Sequence, residues 1–144
     1  MVGGALVDTG AILAVLRRED AWHQACVAAF GTIRPPLLTS DAVLTELFHF
    51  VRNNARETEA AWAFVLSGAV TIAPISDADL PALQSLMIQY SDHPMDFADA
   101  TLVHLARRES LTTILTIDHD DFETYRIDRG ARFRILPARR AKPR

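Results

Sequence analysis

Five short runs of apolar or β-branched residues, at 5–7, 37–39, 70–73, 112–117 and 133–136, are spaced along the chain by stretches of helical character. Runs this short are too brief for core helices and read as buried strands. The stretches between them predict helices over 11–17, 21–30, 41–53, 57–67, 77–90 and 97–109. Asp20, Ser40, Asp41 and Ser76 stand where helix starts want a cap, and Gly68 stands where one helix should stop. Strands alternating with helices mean an α/β domain with a mostly parallel sheet. The handedness of crossovers then puts helices on both faces. Ligands of such folds bind beyond the carboxyl ends of the strands, where strand order reverses.

That edge is where the acids fall. Asp8 and Asp118 each end an apolar run, Asp96 and Asp99 open a helix, and Glu46 sits at the rim of an apolar helical face beside Phe50. Each has an ordinary explanation: Asp is a favoured N-cap, Asp96 and Asp99 are spaced like a capping box, and a rim glutamate reaches water. Together they are harder to explain so. Asp96 and Asp99 lie about 60° apart around a helix and can face one point. Carboxylates brought together need a cation or protons. An all-oxygen set selects Mg²⁺ or Mn²⁺, and the fitting chemistry is phosphodiester hydrolysis. His23, His49, His93, His104 and His119 have no paired spacing that would complete a zinc site.

At 144 residues the chain has the length of one ordinary domain. We expect a single domain over 1–137 and a basic tail over 138–144, because Arg139, Arg140, Lys142 and Arg144 face no acid there. Without these four cations the formal charge falls from −3 to −7. The tail is either a solvated end or a contact for phosphate or a partner. The lone Cys26 excludes an internal disulfide and reads as a small buried residue. No apolar run reaches the ~18 residues of a membrane span, and Asp8 interrupts the N-terminal run. No membrane association and a cytoplasmic location are expected.

Leu6-Val7-Asp8-Thr9, Thr45-Glu46, the segment from Pro94-Met95-Asp96-Phe97 through Ala98-Asp99-Ala100-Thr101-Leu102-Val103, and Leu115-Thr116-Ile117-Asp118 with Asp121-Phe122 resemble the PIN domain family, and within it the VapC-like toxins of bacterial toxin–antitoxin pairs. The resemblance covers nearly the whole chain. It implies a three-layer α/β/α sandwich with a mostly parallel central sheet, and a Mg²⁺- or Mn²⁺-dependent endoribonuclease. It assigns catalysis to Asp8, Glu46, Asp99 and Asp118. It assigns metal to Asp8, Asp99 and Asp118 with Asp96 as an additional acid, ligating directly, through water, or only capping. Thr9 and Thr116 would place hydroxyls beside the metal. The implied partners are RNA, a small antitoxin and a second copy of the chain.

Other residues carry weaker expectations. Asp121 reads as the cap of a local turn. Trp22, Phe30, Trp62 and Phe64 read mostly as core, with some partner-facing surface among them. Arg52, Arg107 and Arg108 are candidate phosphate contacts or ordinary surface charges. An aspartyl phosphatase would want an acid where Gly10 stands, and a phospho-receiver a lysine after a late strand, yet the one lysine is Lys142. The surviving alternative is a module of the same fold that binds RNA or protein with little catalysis.

Overall fold

The computed structural model describes residues 2–140. Lys142 and Arg144, half of the expected basic tail, lie outside the described residues. Seven strands and seven α-helices alternate: β1 (Val2–Gly3), β2 (Leu6–Val7), α1 (Thr9–Leu16), α2 (His23–Phe30), β3 (Ile33–Arg34), β4 (Leu37–Thr39), α3 (Asp41–Val51), α4 (Ala55–Leu66), β5 (Val70–Ile72), α5 (Leu80–Gln89), α6 (Phe97–Arg108), β6 (Thr113–Leu115), α7 (His119–Thr124) and β7 (Arg134–Leu136). The central sheet runs β5-β4-β2-β6-β7, and every pairing in it is parallel. A separate parallel pair joins β1 to β3.

The order explains the layers. From β2 the chain steps to β4 and then β5; it returns past both to β6 and continues to β7. Right-handed crossovers therefore put α1–α4 on one face and α5–α7 on the other. The packing agrees, α1 lying against α2, α3 and α4, and α5 against α6. The reversal falls between β2 and β6, which are hydrogen-bonded neighbours with Leu6 opposite Ile114 and Val7 opposite Leu115. Leu6, Val7, Ile114 and Leu115 are fully buried, as expected of strands covered on both faces.

Helix α6 is the main support of the second face. Ala100, Leu102, Val103 and Leu105 are fully buried, and its mixed polarity comes from a short exposed strip. A buried hydrogen bond of 2.7 Å between the hydroxyls of Ser40 and Thr101 ties the start of α3 to α6. The fold thereby fixes α3, which carries Glu46, against the start of α6, which carries Asp96 and Asp99.

Several expectations shift. The helix at 77–90 starts as a 3₁₀ turn over Asp77–Asp79, locked by a reciprocal Ser76–Asp79 capping box before Pro81 allows α5 to begin. Asp20 accepts from the Trp22 N–H at 2.8 Å, so it organises the turn before α2 rather than capping it directly. Gly68 does end α4, with φ at +89°. The four aromatic residues are not core. Trp22, Phe30 and Phe64 pack half-buried at its margin, and Trp62 is 50% exposed. The described start of the tail is tied down: Arg139 pairs with Asp120 and Glu123, and the Arg140 guanidinium lies 4.1 Å from the Trp22 ring centre.

A candidate active site at the carboxyl ends of β2 and β6

Asp8 leaves β2 and becomes the N-cap of α1, its Oδ1 accepting from the Thr9 N–H at 2.8 Å. Its backbone N–H donates to Leu115 O at 2.9 Å, so β2 and β6 are still paired at the point where the acid emerges. The fully buried Thr116 hydroxyl donates to Asp8 Oδ2 at 3.1 Å and accepts from the Asp118 N–H at 3.0 Å. One side chain thus sets the spacing of two acids. Gly10 has to be small: a Cβ there would meet Ile117 Cγ1 at 2.8 Å.

The other acids arrive from the facing helices. Asp96 caps α6 by accepting from the Asp99 N–H at 2.7 Å. Asp99 does not reciprocate as in a capping box; its Oδ2 accepts from the Tyr125 hydroxyl at 2.8 Å. Glu46 projects from α3, where Oε1 accepts from the Thr9 hydroxyl at 3.0 Å. Asp8, Glu46, Asp96, Asp99 and Asp118 all line one cavity of about 240 Å³. Thr9 lines it too, and Thr116 lies behind Asp8.

Asp121 also lines that cavity. It is no turn cap: its Oδ1 bonds to His93 Nε2 at 2.8 Å, across from the loop before α6. Asp118, Asp121 and Tyr125 recur at helical spacing along and just past α7, a signal that would have placed all three on one face. Nothing local marks His93. Arg107 and Arg108 sit at the far end of α6, about 18 Å of helix from Asp96. Arg107 donates to Arg126 O, and Arg108 pairs with Asp79 and Glu109. Arg52 bonds to His49 at the end of α3. These three do not reach the carboxylates, and no cation lines their cavity.

Crowding governs the electrostatics. Burial pushes Asp8 well above the carboxylate range, and the charges of Asp99 and Asp118 push it further. Asp99 rises to about 7, through burial first and the Asp96 charge second, against the lowering effect of the Tyr125 hydrogen bond. Desolvation raises Asp118, with Asp121 adding to it, and also raises Glu46. Tyr125 in turn is pushed upward by burial and by the Asp99 charge. Tyr125→Phe is expected to cost about 1–2 kcal/mol of stability and to move the Asp99 titration above its present position. Carboxyl-carbon NMR titration and chemical denaturation would read both effects; an unmoved Asp99 would show that the hydroxyl does not act on it.

The donor set suits a hard divalent cation, being all oxygen and acidic, with burial and then neighbouring charge favouring its protonated forms. Among the described residues no three His, Cys, Asp or Glu side chains enclose an ion as they stand. Asp8, Asp96, Asp99 and Glu46 each hold one oxygen to a neighbouring N–H or hydroxyl.

A family model described as PIN domain matches residues 5–128. Ribonuclease VapC26 of Mycobacterium tuberculosis is 29% identical over 134 residues, spanning 92% of this chain and 99% of that protein. Among solved structures, the sarcin–ricin loop cleaving toxin VapC20 of M. tuberculosis superposes with a TM-score of 0.70 at 22% identity, over 82% of this chain and 91% of that one. A toxin–antitoxin complex from Klebsiella pneumoniae gives 0.65 at 22% identity over 88% and 94%. VapBC2 of Rickettsia felis, bound to a fragment of its promoter DNA, gives 0.65 at 13% identity over 94% and 99%.

Proposed function

We propose, from the premise that this chain belongs to the PIN domain family, that it is a Mg²⁺- or Mn²⁺-dependent endoribonuclease and the toxin of a toxin–antitoxin pair. The observation that carries this reading is the gathering of Asp8, Glu46, Asp96, Asp99 and Asp118 around one cavity at the strand-order reversal, with the pKa values of Asp8 and Asp99 raised by burial and then by neighbouring charge. The kinship to ribonuclease VapC26 supports RNA as substrate.

Asp8, Asp99 and Asp118 would hold the cation, with Asp96 directly or through water. When bound, that cation neutralises the acids and activates water for attack on phosphorus. The chain's own residues do the rest. Thr116 aims Asp8 and anchors the backbone of Asp118, Thr9 orients Glu46, and Tyr125 steadies Asp99. Glu46, half-buried with its pKa raised by burial, would accept the proton of the attacking water. Among the described residues, no cysteine, histidine or lysine lines the carboxylate cavity to offer another nucleophile.

The partners we propose are RNA, a small antitoxin protein and a second copy of the chain. The toxin–antitoxin complexes of the same fold support the antitoxin. Exposed Trp62, Leu66 and Ile88, at 50%, 77% and 66%, supply apolar surface for protein contacts. We assign catalysis to the domain over 1–137, with 138–144 as its basic tail. No helix among the described residues is long and apolar enough to cross a membrane, and cytoplasmic action fits an RNA substrate.

Purified protein is expected to cleave a mixed RNA pool with Mg²⁺ or Mn²⁺, to stop in EDTA, and to resume when metal is restored. Cleavage that continues in EDTA would overturn the mechanism. Tight RNA binding without cleavage in either metal would support a non-catalytic binding module instead.

A further inference from the structure

We propose that a cleft beside the carboxylates is a subsite for one unpaired nucleobase of the RNA, with Phe97 as its stacking platform; this rests on the ribonuclease reading above. The cleft, of about 470 Å³, lies between the first two turns of α3 and the start of α6. Its apolar walls are Ala42, Ala98 and the ring of Phe97. Phe97 is 45% exposed, a large aromatic side chain left open to solvent at the first position of α6. It stands between Asp96 and Asp99 in sequence, so the helix start that presents the acids also presents the ring. Glu46 and Asp96 line both the cleft and the carboxylate cavity. A strand whose phosphate lies over the acids therefore brings a neighbouring base to Phe97.

The rim decides which part of the strand enters. Its charged groups are Asp41, Glu46 and Asp96, with no cation among the lining residues. Phosphate is repelled there, whereas a flat neutral ring stacks on Phe97 and against the two alanines. Ionised carboxylates only accept hydrogen bonds. They favour a base that offers an amino group at its pairing edge, as adenine, cytosine and guanine do, over uracil, whose one N–H is flanked by two carbonyls. Such edges are open only in unpaired RNA, and aromatic stacking with edge recognition is how proteins read them.

The test compares wild type, Phe97→Ala and Phe97→Tyr. Cleavage of a mixed RNA pool is mapped by sequencing the new ends. In parallel, single-stranded oligonucleotides carrying 2-aminopurine are titrated in Ca²⁺, reading affinity and quenching of the base without relying on cleavage. Phe97→Ala is expected to weaken binding roughly 5- to 100-fold, to lose the quenching, and to flatten base preference at one position beside the cut. Phe97→Tyr should keep all three. Because the side chain is half exposed, thermal stability should change little in either variant. If wild type quenches and Phe97→Ala does not, yet neither cleaves, the ribonuclease reading fails and the subsite stands. Unchanged affinity, quenching and cut pattern in a cleaving Phe97→Ala protein would overturn the subsite alone. So would a variant that only disrupts self-association in sedimentation, which would make the cleft a contact between copies.

Discussion

Asp99→Asn is expected to abolish metal-dependent cleavage while raising the melting temperature of the metal-free protein at pH 7. Asp99 is buried, titrates at about 7 in the fold and would ionise near 3.8 unfolded. Between those values the folded state binds the proton more tightly than the unfolded state does. Stability of the metal-free protein therefore falls as pH rises from about 4 to 7. The penalty at neutral pH is on the order of 2–4 kcal/mol. Asparagine keeps an oxygen for the Tyr125 hydroxyl and carries no charge to repel Asp8 and Asp96. The gain should be about 5–10 °C at pH 7 and should vanish near pH 4, where wild type is also uncharged at this site. Added Mg²⁺ should stabilise wild type and leave the variant nearly unmoved, and activity should drop by several hundredfold or more. Asp8→Asn should lose activity equally but gain less stability, because its amide would face the Thr116 hydroxyl that now donates to Asp8. Thermal melts from pH 4 to 8, with and without Mg²⁺, decide the matter. A variant destabilised at every pH would reduce Asp99 to a structural residue of α6.

Thr116→Val should damage both the fold and the site, although the two side chains have nearly the same shape. The hydroxyl is fully buried and is engaged twice, donating to Asp8 and accepting from the Asp118 N–H. Valine leaves a buried carboxylate oxygen and a backbone N–H without this partner, at a cost of about 1–3 kcal/mol. It also removes a bond that lowers the Asp8 pKa, so the acid holds its proton more firmly against a cation. Cleavage should fall roughly 10- to 100-fold, as for groups that orient metal ligands. Thr116→Ser, which keeps the hydroxyl, should recover most of both losses. Equal behaviour of the serine and valine variants in denaturation and cleavage assays would show that the methyl group, not the hydroxyl, is what matters.

Asp8 and Asp118 were legible because each follows a run too apolar and too short to be anything but an interior strand. Parallel strands place such ends on one edge of a sheet. The start of α6 was legible because Asp96 and Asp99 carry helix-start chemistry just before a dense apolar stretch. The β1–β3 pair was not, since Val2-Gly3 and Ile33-Arg34 each offer a single large apolar residue and form no run. The aromatic residues misled for a related reason: half-buried Trp22 and exposed Trp62 have the composition of core and the position of surface. His93 was invisible because its partner, Asp121, is met only across a loop; Tyr125 carried only its helical spacing with Asp118 and Asp121, and its bond to Asp99 comes from a different helix. Asp121 followed the same logic. Its local surroundings suggested a turn, and its actual bond comes from 28 residues away.

The pairing of β2 with β6 has a consequence for the order of synthesis. The strand that completes the surroundings of β2 emerges from a ribosome more than a hundred residues after it. Until then Asp8 has neither its backbone bond to Leu115 nor its hydroxyl bond to Thr116. A nascent chain, or a fragment cut short before Asp118, holds most of the acids and none of their arrangement. Long-range closure of this kind is a slow step in folding. Whatever chemistry the pocket performs is therefore withheld until β6 has been made and has paired with β2. A cell making this protein has that interval in which a partner can already be waiting.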